Sequence, residues 1–180
     1  MFKPEQKQEI DINYVHIRFM IPRDMSEVLS IENECFEFPW SGDDFSRCLR
    51  QRSCIGMVAE YQDKIIGFMV YELCNGFIHI LDFAVAYSAR KQKIGTKMAN
   101  KLIGKLYPQR RTKITLEVRE TNLAAQLFFR NCGFRAVKIL RNHWDDTPED
   151  AYVMRYRINY NKEKQEEENK QFCPTTRLAG

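Results

Sequence analysis

Three long apolar runs, separated only by short turn sequences, constrain the fold of this chain most strongly. They cover residues 53–61, 64–74 and 76–87. The connecting sequences QDK and CNG are typical of turns, and the first predicts a hairpin. Runs this long and this apolar predict central strands with both faces covered.

From Lys93 onward the apolar period changes from that of a strand to that of a helix. One helical stripe contains Ile94, Met98, Leu102, Ile103 and Leu106 and ends at the sequence YPQRR. The same patterns predict helices over 22–36, 42–51 and 121–134, the last ended by Gly133, and strands over 14–20, 112–120, 134–141 and 151–158. The sequence therefore predicts one α/β (α+β) domain, with a mixed central sheet of about six to seven strands flanked by helices.

Length and composition fit one domain with a substantial core. The chain has 180 residues, of which 44% are hydrophobic and 29% charged. No apolar run approaches the roughly 18–20 residues of a membrane span, and the N-terminus has no apolar segment like that of a secretory signal. We therefore expect a cytoplasmic protein with no membrane partner. We also expect a flexible segment over 1–13, the domain over 14–158 and a disordered charged tail over 159–180.

The six cysteines show no C-x-x-C spacing, which argues against a zinc site and a disulfide framework. A catalytic cysteine is a minor alternative, with Cys132 as its candidate. The net charge of +4 suits an anionic cofactor or an assembly rich in RNA but proves neither. The sequence has no arginine-rich arm, so we do not expect the protein to read nucleic acid directly.

The stretch SARKQKIGTK, residues 88–97, combines the end of a strand, a short loop and the start of a helix. Unpaired N–H groups at a helix start form an anion site. Arg90, Lys91 and Lys93 add positive charge, and Gly95 permits close approach of a ligand. A basic helix start without a ligand is an equally good interpretation.

Glu117 alternates with Leu116 and Val118, so its side chain is expected on the exposed or cleft-lining side of a strand. The alternative is an ordinary solvated glutamate. In the helix that follows, Asn122 is a candidate contact or simply an N-cap, and Phe128 and Phe129 are candidates for core packing.

Taken in order, these segments resemble the GCN5-related N-acetyltransferase (GNAT) family, which binds acetyl-CoA. The segments IENECFEFPWS, DFAVAYSARKQKIG, LEVRETNLAAQLFFRNCGF and RNHWDDTPEDAYVM resemble its bacterial subgroup of ribosomal-protein alanine N-acetyltransferases (RimI). The resemblance extends over residues 14–158 and implies a single GNAT-type domain.

The resemblance implies direct transfer of acetyl from acetyl-CoA to a protein N-terminus, without a metal, and with a small-subunit ribosomal protein as candidate acceptor. Glu117 matches the residue that accepts the proton. The residues matching the acetyl-CoA site are Phe83, Ala84, Val85, Arg90, Lys91, Gln92, Lys93, Ile94, Gly95, Thr96 and Asn122. The candidate acceptor-binding residues are Pro39, Trp40, His143 and Trp144.

Two positions depart from the family pattern. Phe129 stands where the subgroup has a tyrosine that protonates the leaving thiolate. Water is the favoured replacement, and His143 or Tyr152 as donor, or a slow enzyme, are the alternatives. Lys93 stands where the loop usually has glycine; the change costs little if its backbone is right-handed and lowers cofactor affinity if a glycine conformation is needed. Acetylation of a lysine or a small amine, and CoA binding without catalysis, therefore stay open as alternatives.

Overall fold

One seven-stranded sheet organises the residues that the computed structural model describes, 9–158. The strands are β1 (His16–Phe19), β2 (Cys54–Tyr61), β3 (Lys64–Leu73), β4 (Phe77–Val85), β5 (Lys113–Arg119), β6 (Arg135–Leu140) and β7 (Ala151–Arg157). The helices are α1 (Met25–Cys35), α2 (Gly42–Leu49), α3 (Ile94–Ile103) and α4 (Leu123–Asn131). The strand order is β1-β2-β3-β4-β5-β7-β6, and β4–β5 is the parallel pair. The predicted α/β domain with a mixed sheet of six to seven strands is confirmed.

The predicted hairpin joins β2 to β3. Tyr61 pairs with Lys64, and the two residues between them, Gln62 and Asp63, have φ angles of +50° and +61°. Two successive left-handed residues match the twist of antiparallel strands, so this turn fixes the register of the hairpin.

Neighbouring residues of β3 show how the helices cover the two faces of the sheet. Phe68 packs edge-on against Phe45 of α2, with ring centres 5.6 Å apart. Gly67 faces the other way, because a Cβ there would lie 3.2 Å from the Met98 sulfur of α3. The α1–α2 segment therefore covers one face, and α3 covers the other.

β4 and β5 pair only over their first residues. The three pairs run from Phe77–Lys113 to His79–Thr115, although β4 continues to Val85 and β5 to Arg119. The register of β4 against β3 skips Leu81, so the buried residues Ile78 and Ile80 lie on one face and the buried Asp82 and Ala84 lie on the other. Buried residues therefore lie on both faces of β4, as predicted, although β5 leaves its side after His79. The divergence leaves an opening between the second halves of the two strands.

α4 ends at a glycine, as predicted. Gly133 has a φ of +93°, its N–H donates to the Arg130 carbonyl, and the Phe134 N–H donates to the Phe129 carbonyl. This pair of hydrogen bonds satisfies the last carbonyls of the helix and turns the chain into β6.

Two helix boundaries differ from those predicted. A 3-10 turn over Pro22–Asp24 precedes α1, in which the Asp24 carboxylate accepts from the Ile21 N–H. α3 ends at Ile103, where hydrogen bonds to the third residue back replace the helical pattern: the Leu106 N–H donates to the Ile103 carbonyl. Leu106 is nevertheless buried, as its place in the apolar stripe predicted.

The predicted charged tail and residues 1–8 of the predicted flexible start lie outside the described residues. Within 9–13, the Ile10 N–H donates to the Gln92 side chain at 2.7 Å, and the Ile12 carbonyl accepts from Lys97 Nζ at 2.7 Å. Contacts with the α3 region therefore begin before Tyr14. None of the helices within 9–158 is both long and apolar enough to span a membrane.

Two glycine substitutions separate backbone strain from crowding. Gly76→Ala, at φ +82° with nothing within 4 Å of the new Cβ, should lower the free energy of unfolding by about 1 kcal/mol. Gly133→Ala should cost about 2–4 kcal/mol, because left-handed strain adds to a clash with the Tyr156 ring. Urea denaturation measures both, and equal effects would contradict this account of Gly133.

Candidate functional site

Glu117 lies on β5 beyond the last pair with β4. Leu116 and Val118 are buried, and Glu117 is half-buried on the opposite face, which confirms the predicted alternation. Its Oε2 lies 2.8 Å from Nε2 of His143, and the two side chains are 29% and 31% exposed. The structure therefore places a carboxylate and an imidazole in contact, within reach of solvent, beside the opening.

Arg119, two residues further along the same face, holds the loop 141–150 in place. Its guanidinium donates to both carboxylate oxygens of Asp146 (2.8 and 2.6 Å), to Thr147 Oγ1 (2.7 Å) and to Glu149 (2.9 Å). Burial alone would lower the pKa of Arg119, but these carboxylates raise it, so the charge is kept. A fully charged fork of this kind orders the loop that carries His143.

Arg119 also joins two loops through aromatic rings. Its guanidinium carbon lies 4.5 Å from the centre of the Trp144 ring and 5.3 Å from that of Phe38. Trp144 packs edge-on against His143 at 5.0 Å. The sequence motifs contained Arg119 and Phe38, but only the fold shows that they connect the loop 36–41 with the loop 141–150.

The other predicted acceptor residues have different surroundings. Pro39 is exposed, and Trp40 is half-buried with its ring edge-on to Phe45 of α2 at 5.3 Å. The backbone N–H of Trp40, not its indole, donates to Oε1 of Glu32 at 2.7 Å. Trp40 thus anchors the loop to the core, while Phe38 reaches Arg119.

Lys93 has a φ of +65° and occupies the N-cap position of α3, and Lys91 also has a φ of +65°. The sequence left a right-handed and a left-handed backbone open, and the structure has the left-handed one. A lysine in this conformation costs about 1–2 kcal/mol relative to glycine. Both side chains are exposed beside the start of α3.

Arg90 and Gly95 have structural roles in this loop. Arg90 donates from Nε to the Val85 carbonyl at 2.9 Å, and its guanidinium lies 3.8 Å from the centre of the Tyr87 ring. A Cβ on Gly95 would lie 3.1 Å from the Phe128 ring. Arg90 therefore fixes the end of β4, and Gly95 makes room for α4.

The polar side chains of Gln92 and Asn122 bond to backbone nearby. Gln92 accepts from the Ile10 N–H and donates to the Ser88 carbonyl. Asn122 Oδ1 accepts from the Ala125 N–H at 3.0 Å, which confirms the N-cap alternative. Contact of either residue with a cofactor stays a prediction, as it does for the exposed Thr96.

Phe129 is 5% exposed and belongs to an aromatic cluster. Its ring centre lies 5.5 Å from that of Phe83, 4.9 Å from Phe128 and 5.3 Å from Phe134. Of the two replacement proton donors, Tyr152 pairs with Val118 and so lies on the face opposite to Glu117. His143 is in direct contact with Glu117.

Two buried carboxyl groups were missed by sequence reasoning. Glu32 of α1 is 2% exposed and Asp82 of β4 is 8% exposed. The signal was a charge on the apolar side of each element: Glu32 follows Val28 by one helical turn, and Asp82 interrupts the run ILDFAV.

Cys132 is half-buried, and burial raises the pKa of its thiol, which opposes its use as a nucleophile. Within residues 9–158, no three His, Cys, Asp or Glu side chains form a group that could hold a metal ion.

A family model described as the acetyltransferase (GNAT) family matches residues 25–134, more than half of the chain. The chain belongs to this family. It is accordingly an N-acetyltransferase, an enzyme class that uses acetyl-CoA as the acyl donor.

Two relatives illustrate the degree of sequence similarity. An uncharacterised N-acetyltransferase of Methanocaldococcus jannaschii is 29% identical over 139 residues, which cover 77% of this chain and 88% of the relative. The [ribosomal protein bS18]-alanine N-acetyltransferase of Escherichia coli is 26% identical over 133 residues, covering 73% and 89%.

Solved structures share the fold. The crystal structure of the E. coli ribosomal-protein-S18-alanine N-acetyltransferase has a TM-score of 0.72 at 24% identity and covers 81% of this chain and 94% of that chain. Arabidopsis thaliana NAA60 in complex with acetyl-CoA has a TM-score of 0.71 at 17% identity, covering 80% and 99%.

Arg119→Gln should loosen the loop 141–150, because it removes the charge that Asp146 and Glu149 share. We expect amide hydrogen exchange over 143–149 to become about tenfold faster or more, since each charged hydrogen bond contributes roughly 1.5–3 kcal/mol. Mass spectrometry of exchanged peptides measures this. Arg47→Gln, at an exposed pair with Asp44, is the control, and unchanged exchange in Arg119→Gln would contradict the role given to Arg119.

Proposed function

We propose that this acetyltransferase moves an acetyl group from acetyl-CoA to the N-terminal α-amine of a protein, with Glu117 as proton acceptor. The observation that carries the proposal is the contact of Glu117 with His143 beside the opening between β4 and β5. Relatives named as acting on alanine of ribosomal protein bS18 make a ribosomal protein that begins with alanine the first acceptor to test. A cytoplasmic location belongs to the same proposal.

The opening fits acetyl-CoA, which supplies an activated acetyl group when bound. Beyond His79, this edge of β4 has no β5 neighbour, which leaves the Phe83 carbonyl and the Val85 N–H available for hydrogen bonds. The Val85 carbonyl accepts from Arg90, and Ala84 pairs with Phe68 of β3. N–H groups at the start of α3, with Lys91 and Lys93 beside them, suit the pyrophosphate. N–H donors aimed at the acetyl oxygen would stabilise the charge that develops there.

The acceptor amine must be neutral when it attacks. An α-amine has a pKa of roughly 7.7–8.0, whereas a lysine amine has one of about 10.4. Deprotonation of an N-terminal amine near neutral pH therefore costs little free energy, whereas deprotonation of a lysine amine costs much more. The half-exposed carboxylate of Glu117, which accepts a proton directly or through water, suits the first deprotonation better.

His143 is proposed to take the place of the missing tyrosine. Its Nε2 lies 2.8 Å from the carboxylate that takes the amine proton, so the proton has a second site on the imidazole. From there it can reach the leaving thiolate or bulk water. Phe129, in the aromatic cluster, contributes packing instead of a proton.

A peptide assay tests the reaction. We expect one acetyl group, seen by mass spectrometry, on a peptide that begins with alanine, and none on a copy whose α-amine is blocked. Acetylation of an internal lysine in the blocked copy would contradict N-terminal transfer and would identify the enzyme as a lysine acetyltransferase. No transfer to several N-termini, despite binding of acetyl-CoA, would support a domain that binds without catalysis.

Glu117→Gln should lower kcat about 100-fold or more, because a positioned general base contributes roughly 10²–10⁴-fold. Binding of acetyl-CoA, measured by calorimetry, should stay unchanged. Glu120→Gln, at an exposed carboxylate three residues away, is the control with full activity. A Glu117→Gln variant that keeps its rate would exclude Glu117 as the base.

A double substitution tests the role of His143. His143→Asn should lower kcat about tenfold or more, since it removes a proton carrier. Adding Phe129→Tyr in that background should restore part of the rate, because a tyrosine then stands at the family's donor position. Full activity in His143→Asn alone would instead assign protonation of the thiolate to water.

A further inference from the structure

Glu32 and Asp82 form a pair of carboxyl groups inside the protein, between α1 and β4. The two carboxyl groups lie close enough for each to act on the pKa of the other, so one could donate to the other once it is protonated. Glu32 Oε1 accepts from the Trp40 N–H, and Asp82 accepts from the Phe83 N–H. The other oxygens, Glu32 Oε2 and Asp82 Oδ2, are buried and receive a hydrogen bond from no donor group within residues 9–158.

Within residues 9–158, no positively charged side chain acts on the pKa of either carboxyl group. Cys35, which lies near Glu32, also has Glu34 and Arg90 as neighbours. Cys48, which lies near Asp82, also has Cys54 and Glu72 as neighbours. Burial raises the pKa values of the Cys35 and Cys48 thiols, which stay neutral. The guanidinium of Arg90 donates to the Val85 carbonyl and the Cys35 sulfur instead of either carboxyl.

Two buried carboxylates in contact, without a cation, cannot both be ionised at neutral pH. A single proton between Glu32 Oε2 and Asp82 Oδ2 satisfies both oxygens that otherwise have no donor. One negative charge then remains, and the N–H groups of Trp40 and Phe83 stabilise it.

The pair connects two parts of the site. Through Trp40 it holds the loop 36–41, whose Phe38 contacts Arg119, and through Asp82 it adjoins Phe83, the first residue of the β4 edge. We propose that Glu32 and Asp82 are positioning residues that share one proton, and that this proton fixes the loop 36–41 against β4 for acceptor binding. The inference rests on the proposed function and on the acceptor-binding role predicted for Pro39 and Trp40 of this loop.

Loss of the shared proton should change the stability of the folded protein with pH in one direction. Burial and the neighbouring Glu32 raise the pKa of Asp82 from 3.8 to about 8. Between these values the folded protein binds one proton more than the unfolded chain, so this pair makes stability fall as pH rises through the window. Above about pH 8 the two carboxylates repel, which should move Glu32 and the loop attached to it away from β4.

Kinetics of the full-length enzyme with the alanine peptide, from about pH 6.5 to about pH 9.5, test the proposal. The wild-type KM for the peptide should rise about tenfold above pH 8, while the KM for acetyl-CoA stays level. Deprotonation of the peptide amine acts in the opposite direction, so it cannot produce this rise.

Asp82→Asn is the matched variant, because its amide donates to Glu32 and accepts from Phe83 without a proton to lose. Its peptide KM should stay level across the range. Glu72→Gln, at a carboxylate bonded to Ser53, should keep the wild-type profile. An equal rise of KM in wild type and Asp82→Asn would overturn the proposal.

A measurement without substrate separates this inference from the proposed function. In a Trp144→Phe background Trp40 is the one tryptophan left. Its fluorescence should change near pH 8 and should stay level once Asp82→Asn is added. If no peptide is acetylated, the proposed function fails, and identical fluorescence titrations in both proteins would then overturn the shared proton as well.

Discussion

The separation of β4 from β5 after three residue pairs is the constraint on which the rest of the site depends. A continuous ladder would use the peptide groups of both strands and leave no room between them. Because the strands part, the edge of β4 from Phe83 to Val85 and the side chain of Glu117 face the same opening. The acyl donor and the acceptor can then reach one place from opposite sides of the sheet.

Two polar contacts hold the loops around this opening. Arg119 ties the loop 141–150 to β5 through Asp146 and Glu149, and its aromatic contacts extend to Phe38. The carboxyl pair ties the other end of the loop 36–41 to β4 through the Trp40 N–H. Desolvation makes both arrangements costly when one partner is lost, because a charge or an unpaired donor would then be left in a poorly solvated place. The loops are therefore positioned by a few strong interactions between residues that are far apart in the sequence.

The apolar periods of the sequence predicted most of the fold because burial repeats along each element. Seven strands, four helices, the hairpin at Gln62 and the glycine end of α4 all follow from local patterns. The same periods placed Glu117 on the correct face of β5. The apolar periods do not show which other element a side chain contacts. The contacts of Arg119 and Asp82 could therefore not be predicted. The left-handed backbone at Lys93 and the internal bonds of Arg90 depend on how the loop is closed by its neighbours, which local patterns do not specify. Resemblance to relatives carries residue types but not these contacts.

In the proposed reaction, the amine and the acyl donor meet between β4 and Glu117. A crystal structure of this chain with CoA covalently joined to the N-terminus of an alanine peptide tests it most directly. We expect the CoA arm to enter between β4 and β5, and the peptide nitrogen to lie within about 3.5 Å of Glu117 or one water molecule away. The peptide should leave between Phe38 and Trp144. A conjugate whose CoA arm lies outside the opening, or whose peptide nitrogen is remote from Glu117, would contradict the account.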